Sequence, residues 1–168
     1  LDGFISYPTA VYTVPLGVIL PKDVDNLLLP VPVSGSHIGF STLRMEPCWM
    51  ALGQAAGITA ALAIDKGVKV RNVDIPSLQD ILIKQKATLI YFRDVKPTDD
   101  AFPLVQYLGL RGYLPDWNAS LQQPIDESTL RNWSNLCGTQ LKATPGQTTR
   151  LKVLTDIYKL QSERTGLF

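Results

Sequence analysis

The chain has 168 residues, of which 45% are hydrophobic and 18% charged, with a formal net charge of +1. These values describe a globular domain, or one domain with a small satellite, and exclude a disordered polar chain. The basic residues are scattered rather than clustered, so neither nucleic acid nor an anionic membrane surface is implied as a partner.

The chain opens at Leu1 in an apolar, turn-containing stretch that runs to Pro8, with no positively charged segment leading into a long apolar run. No signal peptide is visible. The expectation is an expressed domain or processed fragment, with any targeting information upstream. Val11–Val14 and Asn26–Val33 have the look of short strands, separated by the turn-like Leu20–Asp25. The second run is almost wholly apolar, as in a strand covered on both faces. Pro30 and Pro32 each remove a ladder donor, which restricts it to a short or edge strand. Ser34 to Ser41, with Gly35 and Gly39, reads as a loop.

From Pro47 to Lys66 the composition turns to helix formers, with Pro47 at the start and Gly67 as the stop. Gly53, Gly57 and Ala60 or Ala61 recur at helical spacing and leave one face nearly bare. Each interior glycine costs about 1 kcal/mol relative to alanine, so close approach of another backbone or a ligand is expected there. A membrane helix with a small-residue face is the rival reading. The apolar stretch Ala51–Ile64, broken by Gln54, is shorter than the roughly twenty residues a span requires, and no transmembrane segment is expected.

Further helices are expected at 76–86 (Leu78, Ile81, Leu82), 101–111 (Phe102, Val105, Leu108), 126–136 and 148–163. Asp126 is the N-cap of the third, with Leu130, Trp133 and Leu136 as its apolar stripe. The last carries Leu151, Leu154, Ile157 or Tyr158, and Leu160 or Gln161. Thr88–Phe92 is expected as a brief strand. The fold class is therefore α+β and predominantly helical, with strands near 11–14, 26–33 and 88–92. The polar, proline-containing stretch Arg93–Asp100 marks the boundary between residues 1–93 and a small helical domain at 94–168. Cys48 and Cys137 lack metal-ligand spacing and are expected as free thiols, since a disulfide would require Cα atoms within roughly 7 Å. The single histidine, His37, excludes a site built from several imidazoles, and no metal is expected.

The candidate chemistry lies where the loop meets the helix at Pro47. A helix opening presents unpaired N–H groups and a partial positive charge equivalent to about half an elementary charge. Such an end suits an anion or another hydrogen-bond-accepting group, although the same arrangement also describes an ordinary crossover. His37 and Arg44 are the polar groups placed to meet such a ligand. His37 is equally a surface residue, and Arg44 with Glu46 equally a surface ion pair. Glu46 suits the helix dipole yet would repel a phosphate, which favours a ligand edge that accepts hydrogen bonds.

The blocks Asp25-Asn-Leu-Leu, Ser34-Gly-Ser-His37, Arg44-Met-Glu-Pro47, Met50, Gly53-Gln-Ala-Ala-Gly57 and Ala60-Ala-Leu-Ala63 resemble the C-terminal part of bacterial FAD-dependent oxidoreductases of the glutathione-reductase-like flavoprotein group. The resemblance covers about residues 11–92. It implies that residues 1–93 form the C-terminal part of an FAD-binding domain. Ser36, His37, Arg44, Met45, Glu46, Pro47 and Met50 would then line the flavin, with the helix N-terminus toward the pyrimidine edge of the isoalloxazine. His37 and Arg44 are the candidate catalytic residues, acting on an unidentified small-molecule substrate. The Gly-x-Gly-x-x-Gly fingerprint that holds the pyrophosphate occurs nowhere in the chain. The implied partners are therefore N-terminal dinucleotide-binding and substrate domains, with no FAD held and no activity in this chain alone. Self-association through unpaired strand edges is a further expectation. Residues 94–168 resemble, loosely, surface-layer-homology-type helical modules. That leaves a second reading of the whole, a non-catalytic interaction or wall-binding module with a vestigial flavin-like segment.

Overall fold

The computed structural model describes residues 10–165, with side chains through 162. The opening stretch Leu1–Pro8 lies outside the described residues. Among the described residues there are six α-helices: α1 His37–Leu43, α2 Glu46–Lys66, α3 Ile75–Lys84, α4 Phe102–Leu110, α5 Glu127–Cys137 and α6 Arg150–Thr165. Two single 3₁₀ turns lie at Leu16–Ile19 and Val70–Asn72. The chain forms two compact units, Leu1–Leu78 and Gln79–Phe168, which divide within α3. That division falls earlier than Arg93–Asp100.

The described residues contain no β-strand, which overturns the α+β expectation; the only strand-like pairing is an isolated antiparallel bridge between Pro124 and Thr149. Each expected strand fails for a local reason. Residues 11–14 form no regular element; the side chains of Tyr12 and Thr42 are hydrogen-bonded, and Val14 packs against the first unit's core. Across 26–33 the prolines leave too few donors for a ladder. The segment instead crosses the first 3₁₀ turn, with Leu29 N–H donating to Ile19 O at 2.9 Å and Ser34 N–H to Val18 O at 2.7 Å. At 88–92 a side chain takes the place of a partner strand. Gln106, 1% exposed, accepts from the N–H groups of Leu89 at 2.7 Å and Ile90 at 3.0 Å, and donates to Ile90 O at 2.7 Å.

The first unit is built around α2. The expected loop at 34–41 is a helix from His37, because Ser36 is an N-cap whose Oγ accepts from Gly39 N–H at 3.0 Å. Leu43 from α1 and Leu52 and Ala56 from α2 bury against Ile19 and Val33. α2 closes on Gly67 in the left-handed region at φ 62°, where glycine has no Cβ to strain. By length and composition α2 is apolar enough to cross a membrane. Its 21 residues exceed the Ala51–Ile64 span judged too short from sequence. One of its faces is nonetheless covered by the protein itself, with Leu52, Ala56, Thr59 and Ala63 buried.

The second unit is built from α4, α5 and α6, with α4 packed on α6. Its core includes Phe102, Val105, Leu108, Tyr113, Ile125, Trp133, Leu154 and Ile157, each at most 2% exposed. Trp133 Nε1 donates to Tyr113 O at 2.8 Å, which satisfies the buried indole. Asp126 caps α5 as expected, accepting from Thr129 N–H at 2.8 Å. The α5 stripe differs from expectation at its end: Cys137 is buried and Leu136 is 47% exposed. Cys48 is half-buried and Cys137 buried, and no disulfide joins them.

Candidate functional site

The candidate segment is a helix–hinge–helix. α1 ends at Leu43, Arg44 is its C-cap, Met45 is the N-cap of α2, and Glu46 and Pro47 open that helix. The hinge forms because Met45 turns to an extended backbone (φ −82°, ψ 137°) directly after the near-helical Arg44 (φ −82°, ψ 3°). Met45 offers no side-chain cap to the α2 amides. Pro47 lacks an N–H, while the amides of Cys48 at 2.9 Å and Trp49 at 3.1 Å both donate to Met45 O. Few donors therefore remain at this helix end, with Glu46 as the acidic residue of the first turn. So few free donors, beside the carboxylate of Glu46, disfavour a phosphate there and leave little for a hydrogen-bond-accepting ligand edge.

Arg44, Met45, Glu46, Pro47 and Met50 share this opening turn and are all exposed, Met50 at 76%. Among the described residues Arg44 forms no ion pair with Glu46 or any other carboxylate. Ser36 and His37 stand at the far end of α1, roughly 10 Å away along a seven-residue helix at 1.5 Å per residue. The expected residues thus form two clusters, one at each end of α1. The Ser36 hydroxyl is already engaged as a cap, and His37 is exposed.

Two features were not anticipated. Trp49, in the first turn of α2, has its indole N–H shielded from solvent without an acceptor among the described residues. Sequence offered only an aromatic beside Cys48 as a signal. The loop at 20–26 is also clamped onto the second 3₁₀ turn. Lys69 pairs with Asp25 at 2.6 Å, Asn26 in the left-handed region (φ 56°) accepts from Val70 N–H at 3.3 Å, and Arg71 donates to Lys22 O at 3.5 Å. The hydrogen bond and charge of Lys69 hold the Asp25 carboxyl below its usual range. An Asp-Asn pair is a turn signal, but its partner 44 residues away is not readable from sequence.

Gly53 and Gly57 do not make the close approach expected of them within this chain. A Cβ at either would meet nothing within 4 Å. The exposed stripe of α2 runs through Met50, Gly57, Ala61 and Ile64, with Ile64 83% exposed.

Residues 2–82 match a family model described as FAD dependent oxidoreductase. The match covers all but the first residue of the first compact unit and most of α3, so this region is related to FAD-dependent oxidoreductases. No curated protein and no solved structure matches the chain.

Proposed function

We propose that the first unit contributes the isoalloxazine-facing part of a flavin site in an FAD-dependent oxidoreductase of the glutathione-reductase-like group, of bacterial type. The observation that carries this reading is the family match over residues 2–82, centred on the helix–hinge–helix segment. The residues present fit one part of the cofactor. Met45, Pro47 and Met50, with Glu46 among them, form an exposed and largely apolar helix opening suited to contact with a flat ring, its few free N–H donors arguing against a phosphate. No glycine-rich turn in the sequence is spaced to cradle a pyrophosphate.

Bound FAD supplies hydride transfer through its ring. The protein's part is to position that ring by the α2 opening and to offer charge from Arg44, whose guanidinium is unpaired among the described residues. His37, at the other end of α1, is reserved for substrate handling. The unit's surface supports dependence on further protein: eleven of its large hydrophobic residues are exposed, against three in the second unit. Dinucleotide-binding and substrate domains of the same enzyme are the proposed neighbours, and residues 94–168 the small helical C-terminal domain.

Absorption spectroscopy of the purified chain tests this. We expect no visible flavin band and no turnover from these residues alone. Stoichiometric FAD would overturn the divided-site reading. In the complete enzyme, His37→Ala and Arg44→Ala are expected to lower turnover, and unchanged flavin content and rates in both would remove those residues from the site.

A further inference from the structure

A cavity of about 510 Å³ in the second unit is lined by Arg93, Asp116, Trp117, Asn118, Gln123 and Arg150. Both arginines are held by aromatic faces and backbone, with no carboxylate as a partner. The Arg93 guanidinium lies 5.1 Å from the Trp117 ring centroid. That of Arg150 lies 5.1 Å from Trp133, and its Nε donates to Ala119 O at 3.1 Å. Neither forms an ion pair among the described residues. Asp94, the natural counterion beside Arg93, has both oxygens engaged, by Ala119 N–H at 2.8 Å and Ser120 N–H at 2.7 Å.

The position of Arg150 is itself unfavourable. It opens α6, whose first turn contains no acidic residue, and the positive end of a helix dipole repels a cation. Ser120, in the same wall, is held at φ 51° without being glycine, a strained conformation of the kind concentrated at binding sites. Two guanidiniums without a carboxylate partner therefore line one largely polar cavity, opposed by a single carboxylate, Asp116, while the first α6 amides are engaged elsewhere, Arg150 N–H by Gln123 O and Leu151 N–H by Leu121 O, each at 2.9 Å.

We propose that this cavity binds a small molecule through its oxyanion, a phosphate or a carboxylate, using the planar donor forks of Arg93 and Arg150. The site lies wholly in the second unit and is independent of the flavin reading. Inorganic phosphate and acetate are titrated separately into the full 168-residue chain while arginine side-chain NMR signals and tryptophan emission are followed. Saturation by phosphate alone assigns a phosphoryl-bearing ligand, and saturation by acetate alone a carboxylate. Arg150 also supports the fold through Ala119, so the informative variants are Arg93→Gln and Asp116→Asn. Arg93→Gln is expected to weaken binding by about tenfold or more. Asp116→Asn, which removes the opposing charge, is expected to tighten it. The proposal is overturned if neither anion saturates at about tens of millimolar, or if both variants, folded, bind as the original chain does.

Discussion

Gln106→Leu tests the idea that a side chain has replaced a β-partner at residues 89–90. Gln106 is 1% exposed and makes three hydrogen bonds to the backbone of that segment, at 2.7, 3.0 and 2.7 Å. Leucine has similar volume, so packing within α4 changes little. What is lost is the satisfaction of two N–H groups and one C=O. A net hydrogen bond contributes about 0.5–1.5 kcal/mol, and an orphaned buried polar group costs about 1–3 kcal/mol. Leu89 and Ile90 are only half-buried, so water recovers part of that cost and the expected loss is about 2–4 kcal/mol. This is a large share of a typical stability of about 5–15 kcal/mol. Urea unfolding followed by the emission of Trp133, which sits at 1% exposure in the second unit's core, reads it directly. A loss below about 1 kcal/mol at unchanged m-value would refute the reasoning, because the 89–90 amides would then need no internal acceptor.

The remaining predictions are read by thermal or urea unfolding, with Trp133 emission reporting the second unit and Trp49 emission the first. Asp126→Ala should lower the melting temperature of the second unit by removing the α5 cap. The Asp126 carboxyl is held far below its usual range by hydrogen bonds from the Ser128 hydroxyl and then from the Thr129 hydroxyl and N–H. A pKa depressed by folding contributes stability above the unfolded carboxylate range and loses it as pH falls toward the folded value. The original chain should therefore lose stability on acidification below about pH 4 more steeply than Asp126→Ala, and equal slopes would sink the argument. Gly109→Ala and Gly57→Ala should move in opposite directions. At Gly109 a Cβ would lie 3.0 Å from Phe92 Cζ and 3.2 Å from Ile90 Cγ2, a clash of about 1–3 kcal/mol that outweighs the helix gain. At Gly57 it meets open space, so alanine should stabilise this chain by up to about 1 kcal/mol. Shifts of the same sign would show that these spaces do not govern the outcome.

The helices were legible wherever a start or stop signal accompanied the apolar period. Pro47 and Gly67 bracketed α2, Asp126 marked α5, and Phe102, Val105 and Leu108 are all buried as the α4 period required. The strands were not legible because a short apolar run carries no information about its partner. Asn26–Val33 is apolar because it covers a 3₁₀ turn, and residues 88–92 because they pack beside a helix that supplies Gln106. α1 was hidden by Gly35 ahead of it and Gly39 within it, although Ser36 three residues before Gly39 was a readable cap. The helix opening at Glu46 was visible as a candidate site. Its separation from Ser36 and His37 by the length of α1 was not visible, because a segment read as a loop has no fixed span.

The two units differ in how completely they satisfy their own side chains, and this bears on the functional proposal. The second buries a continuous core with Trp133, Tyr113 and Phe102 at its centre. The first centres on a smaller cluster of Ile19, Val33, Leu43, Leu52 and Ala56, and its longest helix exposes Met50, Gly57, Ala61 and Ile64, with Gly53 half-buried. At about 25 cal/mol per Å² of apolar surface removed from water, covering that face would return more free energy than the roughly 1 kcal/mol each glycine costs relative to alanine. Glycine is advantageous at 53 and 57 only if the covering group approaches closer than a Cβ allows. Under the proposed function, the stabilisation expected for Gly57→Ala in this chain would therefore become a loss of assembly with the proposed neighbouring domains. That reversal of sign separates a face shaped for a close neighbour from a helix that merely tolerates glycine.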